Sequence, residues 1–219
     1  MRIISDQSRL GPQMWQALMN ISQPQEFSPG TILQHELTPA ASLLLIEAGS
    51  VTLRMREPSS QRLLLIDVLG VGDVLNADTI WTNDLSTWRA EALTAVHGHL
   101  AAREPLQHLM KERPELAEQL LAWLAGSLHA WRDWLTRSVY GDSETRVLHV
   151  IRWLAERYGH PEGRGLRLQL PLRRKDLAEL AGVAPETVVR LLGQFHRQEL
   201  IHPQSNNIFI PDPARLNRP

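Results

Sequence analysis

The chain has 219 residues, 43% of them hydrophobic, and a formal net charge of −1. That length holds two domains with separate cores, and the absence of cysteine excludes disulfides and any cysteine-ligated iron–sulfur cluster. The N-terminus shows no charged-then-apolar leader, and no apolar run reaches membrane-spanning length, so a cytoplasmic protein without a membrane partner is expected.

The first hundred residues read as an all-β module. FSPGTIL (27–33) sets Pro and Gly at a turn before β-branched residues, and SLLLIEAGSVTLRM (42–55) reads as two apolar strands around Ala48-Gly49. QRLLLIDVLGVGDVL (61–75) reads as one longer strand ending in glycines, and EALTAVHGHLAA (91–102) as two short segments around His97-Gly98. Many short strands with glycine turns at close spacing predict a jelly roll.

After a short segment around Pro105–Lys111, Pro114 opens a long helix to about Tyr140. Ala117, Leu121, Leu124, Leu128, Trp131, Leu135 and Ser138 recur at 4-3 spacing, the a/d seam of a coiled coil. Leu116, Leu120, Trp123, Ser127, Ala130 and Trp134 form a second stripe beside it. One stripe suits a partner helix and the other the roll; the alternative is one broad apolar face within a monomer. Leu121, Leu124, Leu128, Trp131 and Leu135 are the expected dimer contacts. Tyr140-Gly141-Asp142 then reads as a hinge, with Asp142 or Ser143 capping a helix to about Tyr158 whose buried stripe is Val147, Leu148, Ile151 and Leu154.

LRLQL (166–170) alternates as a half-buried strand does. RRKDLAELAGVAPETVVRLLGQFHRQELI (173–201) follows, two helical patterns around Gly182, which can take the left-handed conformation that ends the first helix. Pro185 suits the first turn of the second helix. Val188, Leu191, Leu192 and Phe195 face the core, leaving Glu186 and Arg190 together on the outside. Arginine can fork onto guanine O6 and N7, and glutamate can accept from the cytosine amine; the plainer reading is an i,i+4 surface pair. Arg173, Arg174 and Lys175 crowd a helix start that lacks a Ser, Thr, Asp or Asn cap, so a DNA phosphate is expected there, with a solvated basic cluster as the alternative. IHPQSNNIFIP (201–211) predicts a hairpin turning at Ser205, Asn206 and Asn207, completing a winged helix-turn-helix. Residues 1–140 carry 11 Lys+Arg against 15 Asp+Glu, while 141–219 carry 12 against 9, so only the C-terminal part is basic.

Glu186-Thr187, Arg190-Leu191-Leu192 and the Leu200-Ile201 step resemble the recognition helix and wing of the catabolite activator/fumarate–nitrate regulator (CRP/FNR) superfamily of bacterial transcription factors. The resemblance extends over nearly the whole chain. It implies an α+β protein: a cyclic-nucleotide-binding-type β jelly roll (1–112), a dimerisation helix and hinge (113–141) and a winged helix-turn-helix (142–219). Its implied partners are a palindromic double-stranded DNA operator, a second copy of the chain and, as for an activator, RNA polymerase. Val189 joins Glu186 and Arg190 as base-facing, and Pro185 and Thr187 join the basic cluster at phosphates. Pro185 departs from the family, many of whose members carry a DNA-contacting residue there.

The resemblance also places a phosphate cassette in GVGDVLNADTIWTNDLSTWRAEAL, with Asp73 where the family carries the ribose-binding carboxylate. Matching the A-x-T-A pattern to Ala92–Ala95 puts Ser86-Thr87 where the family has arginine followed by Ser or Thr. Arg89 stands an odd step away, which turns it to the other face of a strand. Losing that cation removes a charge-assisted bond of roughly 1.5–3 kcal/mol, so binding without cAMP is expected and the effector is unknown. Trp131 and Arg132 fall where dimer-helix residues meet effector in the family, and a buried Trp131 is expected to fill the pocket. His97 and His99 share a strand face but lack further ligands at metal spacing, so neither a metal nor a cofactor is expected and a turn pair is the plainer reading. No phosphate loop, nucleophile elbow or HExxH pattern supports an enzyme. The competing functional class is a sensory or protein-interaction module whose winged helix contacts protein.

Overall fold

The run Leu43–Ile46 lacks polar alternation because its strand is buried on both faces. The structure, a computed structural model, describes residues 10–82, 84–204 and 207–217, apart from the side chains at 137, 138 and 217. Ser205, Asn206 and the Ser138 side chain, assigned above to the hairpin turn and the seam, lie outside the described residues. The central strand, β3 (Ser42–Ala48), belongs to a sheet ordered β1-β8-β3-β6, with β1 Gln23–Phe27, β8 Val96–Ala102 and β6 Val74–Leu75. A second sheet is ordered β2-β7-β4-β5, with β2 Ile32–Gln34, β7 Trp88–Ala92, β4 Val51–Arg56 and β5 Leu63–Leu69. Every pairing is antiparallel.

Leu44, Ile46 and Leu75 of the first sheet meet Val51, Trp88, Ala90 and Ala92 of the second inside this eight-stranded sandwich. Leu43, Leu45, Val74 and Ala101 point the other way, onto a helical layer. That layer is built from Met14, Ala17 and Leu18 of α1 (Pro12–Asn20), Leu106 of α2 (Arg103–Glu112), and Leu116 and Leu120 of α3 (Pro114–Tyr140). The second stripe of the long helix thus begins as part of the roll's outer core.

Two strand boundaries differ from the sequence reading. The stretch 61–75 is two strands, because Gly72 takes φ 86 and the chain turns between Gly70 and Asp73. His97-Gly98 is no turn: β8 runs through it, and the break falls at Leu93–Ala95. Gly98 is required there by close approach, since a Cβ would lie 2.2 Å from the Leu45 carbonyl oxygen. The polar edge strand β1 and helix α1 were not anticipated.

The chain divides into two compact units, one ending at Trp131 and the other beginning at Arg132. In the second, Asp142 caps α4 (Ser143–Tyr158) by accepting from Thr145 N–H at 2.8 Å. α4 buries Val147, Val150, Ile151 and Leu154 and packs with α5 (Arg174–Ala181) and α6 (Pro185–Arg197). Leu148 is only half-buried, and Trp153 replaces it in the core, tilted against Trp134 with ring centres 5.3 Å apart. A sheet ordered β11-β12-β10-β9 completes the unit, from β9 Gly159–Glu162, β10 Gly165–Gln169, β11 His202–Gln204 and β12 Asn207–Ile210. Among the described residues, no helix is long and apolar enough to cross a membrane.

Candidate nucleic-acid interface

The geometry of α5 and α6 follows from one residue between them. Gly182 adopts φ 61, ψ 39, and the N–H of Val183 donates to the Ala178 carbonyl at 3.0 Å, closing the helix end. Two residues later Pro185 starts α6 over Ala184, whose side chain caps nothing. Val188, Leu191, Leu192 and Phe195 are buried, while Pro185, Glu186, Val189 and Arg190 are exposed and Thr187 is half-buried. No ion pair joins Glu186 to Arg190, and neither has a hydrogen-bond partner among the described residues. The i,i+4 surface pair is therefore not formed, and both side chains are free to meet another molecule. Arg197, which the sequence reading passed over, lies seven residues beyond Arg190 on the same side. Its guanidinium lies back along the helix, 3.7 Å from where a Cβ on Gly193 would stand.

The basic cluster at the start of α5 needs correction. Its N-cap, Arg173, is not left open: its N–H donates to Asp176 Oδ2 at 2.8 Å, and its Nε lies 3.2 Å from the same carboxylate. The missing cap comes from the third helical residue reaching back, half of a capping box. Asp176 is 3% exposed, and its hydrogen bond and charge raise the Arg173 pKa above the ordinary arginine value. Lys175 pairs with Glu179 at 3.6 Å. Of the three cations only Arg174 makes no ion pair among the described residues.

Behind α6, the wing is tied on by aromatic contacts. His202 stacks on Phe209 at 6.1 Å, and its Nδ1 sits 3.3 Å from Nδ1 of His196 in the last turn of α6. Arg167 of β10 pairs with Glu162, donates to Gln204 at 2.8 Å and lies over the Phe209 ring.

The groups matched to an effector site in the roll are occupied differently. Asp73 Oδ2 accepts from Gly70 N–H at 2.7 Å, holding its own turn. Ser86 is fully buried and its hydroxyl donates to the Trp88 carbonyl at 2.7 Å, while Thr87 is exposed. Arg89 stands in register opposite Arg54, alternating with Trp88 and Ala90, which face the core. Trp131 is 57% exposed in the single chain, and Arg132 beside it is exposed too. Along α3, Leu121, Leu128 and Leu135 are likewise exposed. Leu124, four residues after buried Leu120, is half-buried and packs against the roll's helical layer. His97 and His99 lie in a strand rather than a turn, each 3.2 Å from a carboxylate, Glu26 and Glu47 respectively. Among the described residues no group of three or more side chains has the arrangement of a metal site.

Residues 145–218 match the Crp-like helix-turn-helix domain family. Over 207 residues the chain is 30% identical to a CRP-like cAMP-activated global transcriptional regulator of Mycobacterium tuberculosis, covering 94% of this chain and 92% of that protein. It is 25% identical to a global nitrogen regulator of Synechococcus elongatus over 198 residues, 90% of this chain and 89% of the relative. The fold is similar to that of FixK2 from Bradyrhizobium japonicum, with TM-score 0.78, 21% identity, and 90% and 96% of the two chains covered. A CRP/FNR family transcriptional regulator from Thermus thermophilus is similar at TM-score 0.71 and 21% identity, over 89% of this chain and 96% of that one.

Proposed function

This chain belongs to the CRP/FNR family of transcription regulators, and we propose that it binds a palindromic operator as a homodimer without needing a cyclic nucleotide. The observation that carries the reading is the outer face of α6, where Glu186 and Arg190 stand free above a fully buried apolar stripe. A helix so presented fits the major groove, with its N-terminal residues toward base edges. Arg190 reads guanine and Glu186 a cytosine amine, while Val189 offers apolar contact to a thymine methyl. Arg174, Lys175 and Thr187 serve the phosphates. Pro185 has no N–H to give and acts by setting the first turn, and Arg173 is held back by Asp176.

Dimerisation through α3 is supported by its exposed apolar residues. Leu121 is 69% and Trp131 57% exposed, with Leu128 and Leu135 at helical intervals between and beyond them. Such a stripe in water marks a surface meant for burial. Two α6 helices so paired would address half-sites about one helical turn apart.

Independence from cyclic nucleotide rests on the roll. The Ser86–Thr87 position supplies no cation, the Ser86 hydroxyl is used internally, and Arg89 alternates away from the core-facing residues of β7. The Mycobacterium relative is named as cAMP-activated, so the two proteins would differ in this respect. RNA polymerase is the further partner we propose, in the cytoplasm. The test is operator binding by the purified chain with and without cAMP: equal binding supports the proposal, and binding only with cAMP contradicts it.

A further inference from the structure

The first turn of α4, directly after the break at Gly141 that separates it from α3, makes two polar contacts with the helix-turn-helix. On one side Arg146 Nη1 donates to the Gly182 carbonyl oxygen at 3.1 Å. That carbonyl belongs to the residue in the left-handed conformation that ends α5, where the last carbonyls lack helical partners and the helix dipole favours a cation. The Nε of Arg146 is buried without a hydrogen-bond partner among the described residues, so its bond to Gly182, with the nearby Asp142 charge, orients its guanidinium. On the other side Glu144 Oε2 accepts from Gln194 Nε2 at 2.9 Å. Gln194 sits on α6 one turn after Arg190, on the flank of the base-facing stripe. Asp142, capping the same turn through Thr145, is held by those hydrogen bonds below the ordinary aspartate range.

Packing alone does not explain this pair of contacts. The core face of α4 is Val147, Val150, Ile151 and Leu154, and neither Glu144 nor Arg146 is part of it. Apolar contacts resist separation but allow a helix to roll on its neighbour. Two polar contacts on opposite sides of the turn fix that roll. We propose that Glu144 and Arg146 are positioning residues for base reading: together they set the angle at which α6 leaves Gly182 and link it to the first turn of α4. This rests on the reading that α6 enters the major groove.

The experiment compares Glu144→Ala and Arg146→Met with their rescues, Glu144→Gln, which keeps an acceptor, and Arg146→Lys, which keeps a donor. The 219-residue chain is titrated against its selected operator and against a scrambled duplex over a range of salt. Each bond is a modest one, so each of Glu144→Ala and Arg146→Met should lower operator affinity about three- to tenfold. Affinity for the scrambled duplex, the salt slope and the melting temperature should stay near wild type, because no phosphate contact and no core is lost. The two rescues should restore most of the operator affinity. Unchanged operator affinity would overturn the proposal, as would a parallel loss on both duplexes with a lowered melting temperature. A salt slope reduced by about one in Arg146→Met would also overturn it, placing Arg146 on a phosphate instead. Wild-type protein that prefers no duplex would remove the DNA reading itself, a result distinct from all of these.

Discussion

The recognition helix and the roll handle their polar side chains in opposite ways. On α6, Glu186 and Arg190 stand four residues apart and yet remain unpaired. In the roll, Asp73 is tied to Gly70, and Ser86 is buried with its hydroxyl on Trp88. A polar group left free over a rigid apolar base is arranged for a partner from outside, whereas one satisfied by its own backbone has little left to offer a ligand. The two regions differ at these four groups: Glu186 and Arg190 make no side-chain bond among the described residues, while Asp73 and Ser86 bond to their own backbone.

The largest effect is expected from removing the second copy. Leu128→Asp places a charge on the exposed stripe of α3, at a side chain about half exposed in the single chain. Sedimentation should show a monomer, and operator affinity should fall by about a hundredfold or more as the second half-site is lost. A dimer of normal affinity would move the interface elsewhere. Next in size is Arg190→Ala, which should cost about 1–3 kcal/mol on the operator and relax preference at one symmetric pair of positions. Equal losses on every sequence would make Arg190 a phosphate contact instead.

A smaller effect probes the turn. Gly182→Ala puts a Cβ at φ 61 with only the Arg146 side chain within 4 Å, so the penalty is conformational: about 1–2 kcal/mol in a denaturant titration. The smallest concerns acid. Asp142 has its carboxyl pKa lowered in the folded chain by Thr145, so its cap contributes above the unfolded aspartate value and is lost as pH falls through the folded one. Asp142→Ala should therefore lower the melting temperature near neutrality, and the gap from wild type should close as pH drops below about 4. A gap that persists at low pH would show that the cap acts by other means.

What could be read in advance divides along the same line. The helix-turn-helix was legible because its determinants are local: Gly182, Pro185 and the spacing of Val188, Leu191, Leu192 and Phe195 need no distant partner to be interpreted. The roll was legible as a class but not strand by strand. Burial on both faces removes the alternation that marks β3, and Gly98 looks like a turn until Leu45 approaches from the neighbouring strand. The cap on α5 was missed because Asp176 lies inside the helix and reaches backwards, where a search for a capping side chain before the helix does not look. Leu124 follows the seam spacing and also packs against the roll's helical layer, a contact the spacing alone does not reveal. Arg197 went unnoticed because it extends the outer face of α6 past the four-residue pair that drew attention.

The most direct measurement is a selection of bound duplexes from a random pool by the purified 219-residue chain, with no cyclic nucleotide added. An inverted repeat with half-sites about one helical turn apart is the predicted product. No enrichment, or enrichment that appears only once cAMP is supplied, would contradict the account.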